Sequence, residues 1–71
     1  MIQMHKVVSS NISSAGYDEE TKTLRVTFTS GKTYEYADVP KQIYEGLFSA
    51  TSAGKFFRTN VIDRRFKSKK I

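Results

Sequence analysis

Apolar residues recur at every second position from Thr23 to Thr29, where Leu24, Val26 and Phe28 alternate with Thr23, Arg25, Thr27 and Thr29. A period of two sets one face of a strand against a core and the other in water. The stretch from Val7 to Tyr17 is rich in serine and β-branched residues and predicts a strand before it. Ile12 and Tyr17 fall on opposite parities, and Gly16 is the residue expected to mark a bulge that switches faces. Asp18 to Lys22 reads as a turn. With Asp18 facing Thr23 across a four-residue loop, Tyr17 lies opposite Leu24 and Ala15 opposite Val26, which sets apolar on apolar.

The next turn starts at Ser30-Gly31. A two-residue loop would bring Thr33 opposite Phe28 and Glu35 opposite Val26, placing polar groups in the core. A three-residue loop, Ser30 to Lys32, pairs Phe28 with Tyr34 and Val26 with Tyr36 instead. Burial therefore selects the longer loop, with Gly31 or its neighbour at positive φ. Tyr34 and Tyr36 become the inward residues of a third strand.

Past Asp38-Val39-Pro40 the apolar period lengthens. Pro40 suits the first position of a helix and holds Val39 extended. Ile43, Leu47 and Ala50 recur at helical spacing, with Tyr44 and Phe48 on the same broad face. Gly46 costs a helix interior up to about 1 kcal/mol against alanine; it predicts close approach to another element, for which the sheet is the obvious candidate. Thr51-Ser52 supplies hydroxyls suited to capping a second helix from about Ala53 to Asn60. Phe56 and Phe57 point about 100° apart on such a helix, so one is expected in the core, over Val26, Phe28 and Tyr34, and the other at its margin. The fold class that follows is α+β: a three-stranded antiparallel meander followed by two short helices packed on one face.

Seventy-one residues make one domain at most. Its parts are a flexible N-terminus over 1–6, a single domain over 7–66 with Phe66 as a last anchor, and a basic, flexible tail over 67–71. No stretch approaches the roughly 20 apolar residues of a membrane span, and no apolar run near the start suits a signal peptide. Absence of cysteine removes disulfides, thiolate metal sites and thiol nucleophiles, and fits a cytoplasmic location.

Charge is unevenly placed. Before residue 55 there are five basic and six acidic side chains; from residue 55 onward there are seven basic and one acidic, so the net +5 comes from the last quarter of the chain. A localised basic segment attracts phosphates, acidic proteins or anionic lipid, though no amphipathic helix with a large apolar face accompanies these charges.

Enzymatic constellations are missing. His5 stands alone, and Ser9, Ser10, Ser13 and Ser14 have no base to activate them, which leaves them to bond backbone or water. Asp18, Glu19 and Glu20 are adjacent carboxylates that cannot all face one ion, and no second set of oxygen ligands follows. The expectation is a protein that is not an enzyme, with no metal and no cofactor.

Three sets of residues carry a resemblance: Ser10-x-Ile12 with Gly16-Tyr17-Asp18; Phe28-x-Ser30-Gly31-x-x-Tyr34-x-Tyr36-x-x-Val39-Pro40; and Leu47-x-x-Ala50-x-Ser52-x-Gly54-x-Phe56-Phe57. In order and spacing these resemble the KTSC domain, a family named for the C-terminus of some lysyl-tRNA synthetases and found also as short bacterial and phage proteins. The likeness spans about residues 7–66. Where the family commonly has Asn after the paired Phe residues, this chain has Arg58, and Phe66 stands where Tyr is common. The resemblance implies no enzyme activity, and through the synthetases it implies contact with RNA.

Two binding readings result. In the first, a small module contacts RNA, tRNA or DNA through Lys55, Arg58, Arg64, Arg65, Lys67, Lys69 and Lys70, with Phe57 or Tyr36 as an exposed ring to stack on an unpaired base. In the second, the chain is a protein-interaction module or accessory protein, docking on an acidic partner or weakly self-associating. Neither calls on a membrane, and a monomer or weak homo-oligomer fits both.

Overall fold

The computed structural model describes residues 2–71 and has five antiparallel strands in one sheet, ordered as they occur in the chain. They are β1 (His5–Lys6), β2 (Ile12–Asp18), β3 (Thr23–Phe28), β4 (Thr33–Tyr36) and β5 (Ser68–Lys70). Between β4 and β5 the chain leaves the sheet to form α1 (Lys41–Ser49) and α2 (Ala53–Phe57), the latter running directly into a π-helical turn at Arg58–Ile62. The expected three-stranded sheet is therefore extended at both edges. His5 and Lys6 pair with Ala15 and Ser14, while Ser68, Lys69 and Lys70 pair with Tyr36, Glu35 and Tyr34. Neither addition is long or apolar enough to show a period of two, and both are held by backbone bonding at the sheet edge.

Between β2 and β3 the observed partners are Tyr17 with Leu24, Ala15 with Val26 and Asp18 with Thr23, the register that apolar matching predicts. The bulge lies at Ser13 rather than Gly16: Ile12 pairs with Phe28 and Ser14 with Thr27, leaving Ser13 as the extra residue. That insertion puts Ile12 and Ala15 on the same buried face. Gly16 has a different job, since a side chain there would run into the backbone oxygen of Gln3 and the side chain of Ile2.

The second hairpin has a three-residue loop, but it is Thr29 to Gly31. The Phe28 N–H donates to the Lys32 carbonyl, Val26 pairs with Tyr34 and Leu24 with Tyr36. The expected register is thus displaced by one residue on each strand, which leaves every side chain on its expected face. Gly31 decides the matter: at φ 94° it occupies the left-handed third position of a three-residue turn, so the loop must end there.

One face of the sheet carries Ile12, Ala15, Leu24, Val26 and Tyr36, and against it pack Val39, Ile43, Leu47, Ala53, Phe57 and Val61. Phe57 meets Phe28 and Tyr36 edge-on at centroid separations of 5.6 and 5.5 Å. Phe57 is thus the core member of the aromatic pair and Phe56 the marginal one, half-buried. Pro40, with ψ 143°, is still extended and stands just before the first helical residue. The Tyr17 hydroxyl donates to the Val39 carbonyl at 2.5 Å and its ring stacks on Tyr44, which fixes α1 to β2. Ser52 caps α2 as expected, accepting from the Lys55 N–H at 3.3 Å. The second helix does not continue as α to Asn60. Its last part widens so that the Asp63 N–H bonds the Arg58 carbonyl, and the Asn60 side chain donates to the Phe56 carbonyl at 3.0 Å.

Candidate nucleic-acid interface

Two loops distant in sequence meet beside α2. Ser9 Oγ accepts from the N–H groups of Asn11 and Ile12 at 3.2 and 3.3 Å, curling residues 9–12 into a tight turn. The Asn11 carbonyl in turn accepts from the Thr29 N–H at 2.9 Å, and Thr29 Oγ1 donates to the Ser10 carbonyl, so this turn is tied to the end of β3. Opposite it stands the Thr51–Gly54 step into α2. Between the two lies a cleft of about 590 Å³, whose walls include Ser9, Ser10, Asn11 and Ser52 and whose charged groups are Lys55 and Arg58.

The chemistry of that cleft is one-sided. No carboxylate lines it. The two ion pairs found among the described residues, Arg25 with Glu35 and Lys41 with Glu19, lie elsewhere. Ser9 and Ser52 use their oxygens to accept from backbone N–H groups, which leaves the hydroxyl hydrogens free to donate. Two cations and several donors facing one open space suit an anionic oxygen ligand.

The other basic residues are dispersed. Arg64 and Arg65 stand exposed on the turn that follows the π-helical segment, Arg65 with a left-handed backbone at φ 57°. Lys69 lies across from Glu35 in the sheet, and Lys67 and Lys69 border a separate depression of about 180 Å³ that Glu35 also lines. Lys70 pairs with Tyr34. The seven cations therefore form a pair in the cleft and a scattered group on the turn and β5. Lysines on a short edge strand also discourage pairing with other chains, which gives Lys69 and Lys70 on β5 a structural use of their own.

The expectation that Phe57 or Tyr36 offers an exposed ring fails. Phe57 is 4% exposed and Tyr36 5%, because each packs edge-on against the other at the centre of the core. Burial also raises the Tyr36 hydroxyl pKa above its ordinary value. Neither ring can stack on a base without unfolding the domain.

What inspection of charge alone missed is the polar half of the cleft and an apolar pocket beside it. That pocket, about 300 Å³, is lined by Ile12, Phe28, Phe57 and Ile62 and shares Asn11, Gly54 and Arg58 with its neighbour. One signal for the cleft was available: Ser10 belongs to the first motif segment and Ser52 and Gly54 to the third, and the fold brings all three to its walls.

Residues 8–66 match the family model described as the KTSC domain. The chain belongs to the KTSC domain family. A KTSC domain protein from Yersinia pestis has a crystal structure that superposes with a TM-score of 0.89 at 38% identity, covering 100% of this chain and 99% of that one. A protein of Tsukamurella paurometabola is 38% identical over 65 residues, which is 92% of this chain and 96% of that protein. A lysine–tRNA ligase of Nostoc punctiforme is 36% identical over 66 residues, 93% of this chain and 12% of the ligase. A KTSC domain is thus found both in small proteins and within one short stretch of a tRNA ligase. No helix of the described residues is long and apolar enough to cross a membrane.

Proposed function

We propose that this KTSC domain is a non-enzymatic module that binds RNA through the cleft between the Ser9–Asn11 turn and α2. The observation that carries the reading is the pairing of Lys55 and Arg58 in a donor-lined space with no carboxylate on its walls. Neutralising phosphates with such a pair releases counterions, which drives sequence-independent binding. The occurrence of the domain within lysine–tRNA ligases supports RNA as the polyanion. Arg64, Arg65, Lys67, Lys69 and Lys70 add long-range attraction from outside the cleft.

The test is a salt titration of the full chain against tRNA and against single-stranded and duplex oligonucleotides. Contact with four to six phosphates gives a log–log slope of roughly −3 to −5. Replacing both Lys55 and Arg58 with Gln makes the slope on single strands shallower by about 1.4, the share of two phosphates. No binding to any of these nucleic acids at low salt overturns the reading. The alternative, a protein-interaction module for an acidic partner, is favoured by Val8, an apolar side chain 92% exposed on the rim of the same cleft. A partner retained after nuclease treatment would support it.

A further inference from the structure

The cationic cleft and the apolar pocket are not independent features. They share the wall formed by Asn11, Gly54 and Arg58, so a ligand filling one extends directly into the other. The first space presents ammonium, guanidinium and hydroxyl donors. The second presents Ile12, Phe28 and Ile62, with the buried ring of Phe57 behind them. Ile62 is 46% exposed, which leaves a large aliphatic surface in water beside an arginine. At about 590 and 300 Å³ both spaces fall within the range of small-ligand sites.

From this juxtaposition we infer that the site takes one unpaired nucleotide, with its phosphate in the cleft at Lys55 and Arg58 and its base in the pocket between Phe28 and Ile62. A phosphate alone would use the cationic half and leave the apolar half wet. An apolar peptide side chain would use the pocket and leave two cations without a counter-charge. A nucleotide has both parts, joined at the short range that a shared wall requires. A base in a duplex is stacked on both faces and cannot enter, so the site selects single-stranded segments, loops or ends. The inference deepens the RNA-binding reading and rests on it.

The experiment compares three ligands of equal strand length with the full chain at one salt concentration: a single-stranded RNA, a sugar–phosphate strand of the same phosphate number that lacks bases, and the same RNA annealed to its complement, whose binding is expressed per phosphate because the duplex carries twice as many. The single strand is expected to bind about 5- to 100-fold more tightly than the base-free strand, the range for one base held on an apolar or aromatic surface. An Ile62→Ser variant, altered at an exposed position, is expected to narrow that difference while leaving affinity for the base-free strand unchanged. Equal binding of all three overturns the base pocket and leaves the RNA reading intact. Failure of all three to bind overturns both. The base-free strand alters the ligand rather than the protein, so the comparison stands even where a substitution disturbs folding.

Discussion

The ring of Phe56 occupies the space that a side chain at Gly46 would need. A Cβ built on Gly46 meets three atoms of that ring at overlapping distances, so α1 and α2 touch through the bare backbone of one helix and an aromatic ring of the other. This accounts for a glycine in the middle of α1. Gly46→Ala brings a helix-propensity gain of up to about 1 kcal/mol, yet it is expected to lower stability by about 1–3 kcal/mol, because the overpacking penalty is larger. Urea unfolding with an unchanged m-value would show it. In a Phe56→Leu background the penalty should shrink, and a double-mutant cycle measures the coupling directly.

Phe57 and Phe56 differ in environment although they are neighbours in the chain. Phe57→Ala empties the centre of the core and is expected to cost about 3–5 kcal/mol. A domain of this size has little more than that to lose, so the variant should be largely unfolded by near-UV circular dichroism at 25 °C. Phe56→Ala removes a half-buried ring packed at the margin of the core and against Gly46, and it should stay folded with a reduced midpoint. Equal effects of the two substitutions would contradict the assignment of Phe57 to the core.

Much of this fold was legible because side-chain parity is a strict constraint. The pairing of Tyr17 with Leu24 and Ala15 with Val26 follows from matching apolar residues across one turn, and the same logic rejects a two-residue loop at Ser30-Gly31. The exact loop residues were harder to read, since shifting both strands by one preserves parity; only the turn preference of Gly31 separates the two registers. Strands β1 and β5 escaped because two or three polar residues on a sheet edge carry no periodic signal. The site was legible in its charges and not in its shape. Lys55 and Arg58 stand out as basic residues, whereas Ser9, Ser10 and Asn11 join them only because the turn at residues 9–12 is tied to Thr29. Reading Tyr36 and Phe57 as exposed failed for a related reason, since alternation tells that a ring faces inward but not how completely the helices cover it.

Alkaline pH is expected to destabilise the domain. Burial raises the pKa of the Tyr36 hydroxyl above 10.0; burial and then the Glu19 charge raise that of Tyr17, and burial raises that of Tyr44. A raised folded-state pKa means that the unfolded chain loses its proton first. The associated stability is therefore complete below about pH 10 and declines as pH rises from there through the folded-state values, by at most about 1.4 kcal/mol per pH unit for each group. Lys41, whose pKa is raised by its hydrogen bond to Glu19, acts in the same direction above 10.5. Urea midpoints measured between about pH 8 and 11 should fall at the upper end. Tyr36→Phe should flatten that decline, and an unchanged slope would remove Tyr36 from the account.

The two groups of cations make opposite predictions at equal charge. Lys55 and Arg58 face one cleft with no carboxylate on its walls, while Lys69 and Lys70 lie on the edge strand β5, one of them across from Glu35. Lys69→Gln with Lys70→Gln removes the same two charges as Lys55→Gln with Arg58→Gln. If the tail acted only through net charge, both double variants would weaken RNA binding alike. With phosphate held in the cleft, the Lys55 and Arg58 variant should lose about tenfold or more in affinity near physiological salt, and the β5 variant only a few-fold. Stability separates them less, since all four side chains are exposed, and both variants should unfold within about 0.5 kcal/mol of the parent. Equal losses of affinity would place the interaction in the field of the whole basic segment rather than in the cleft.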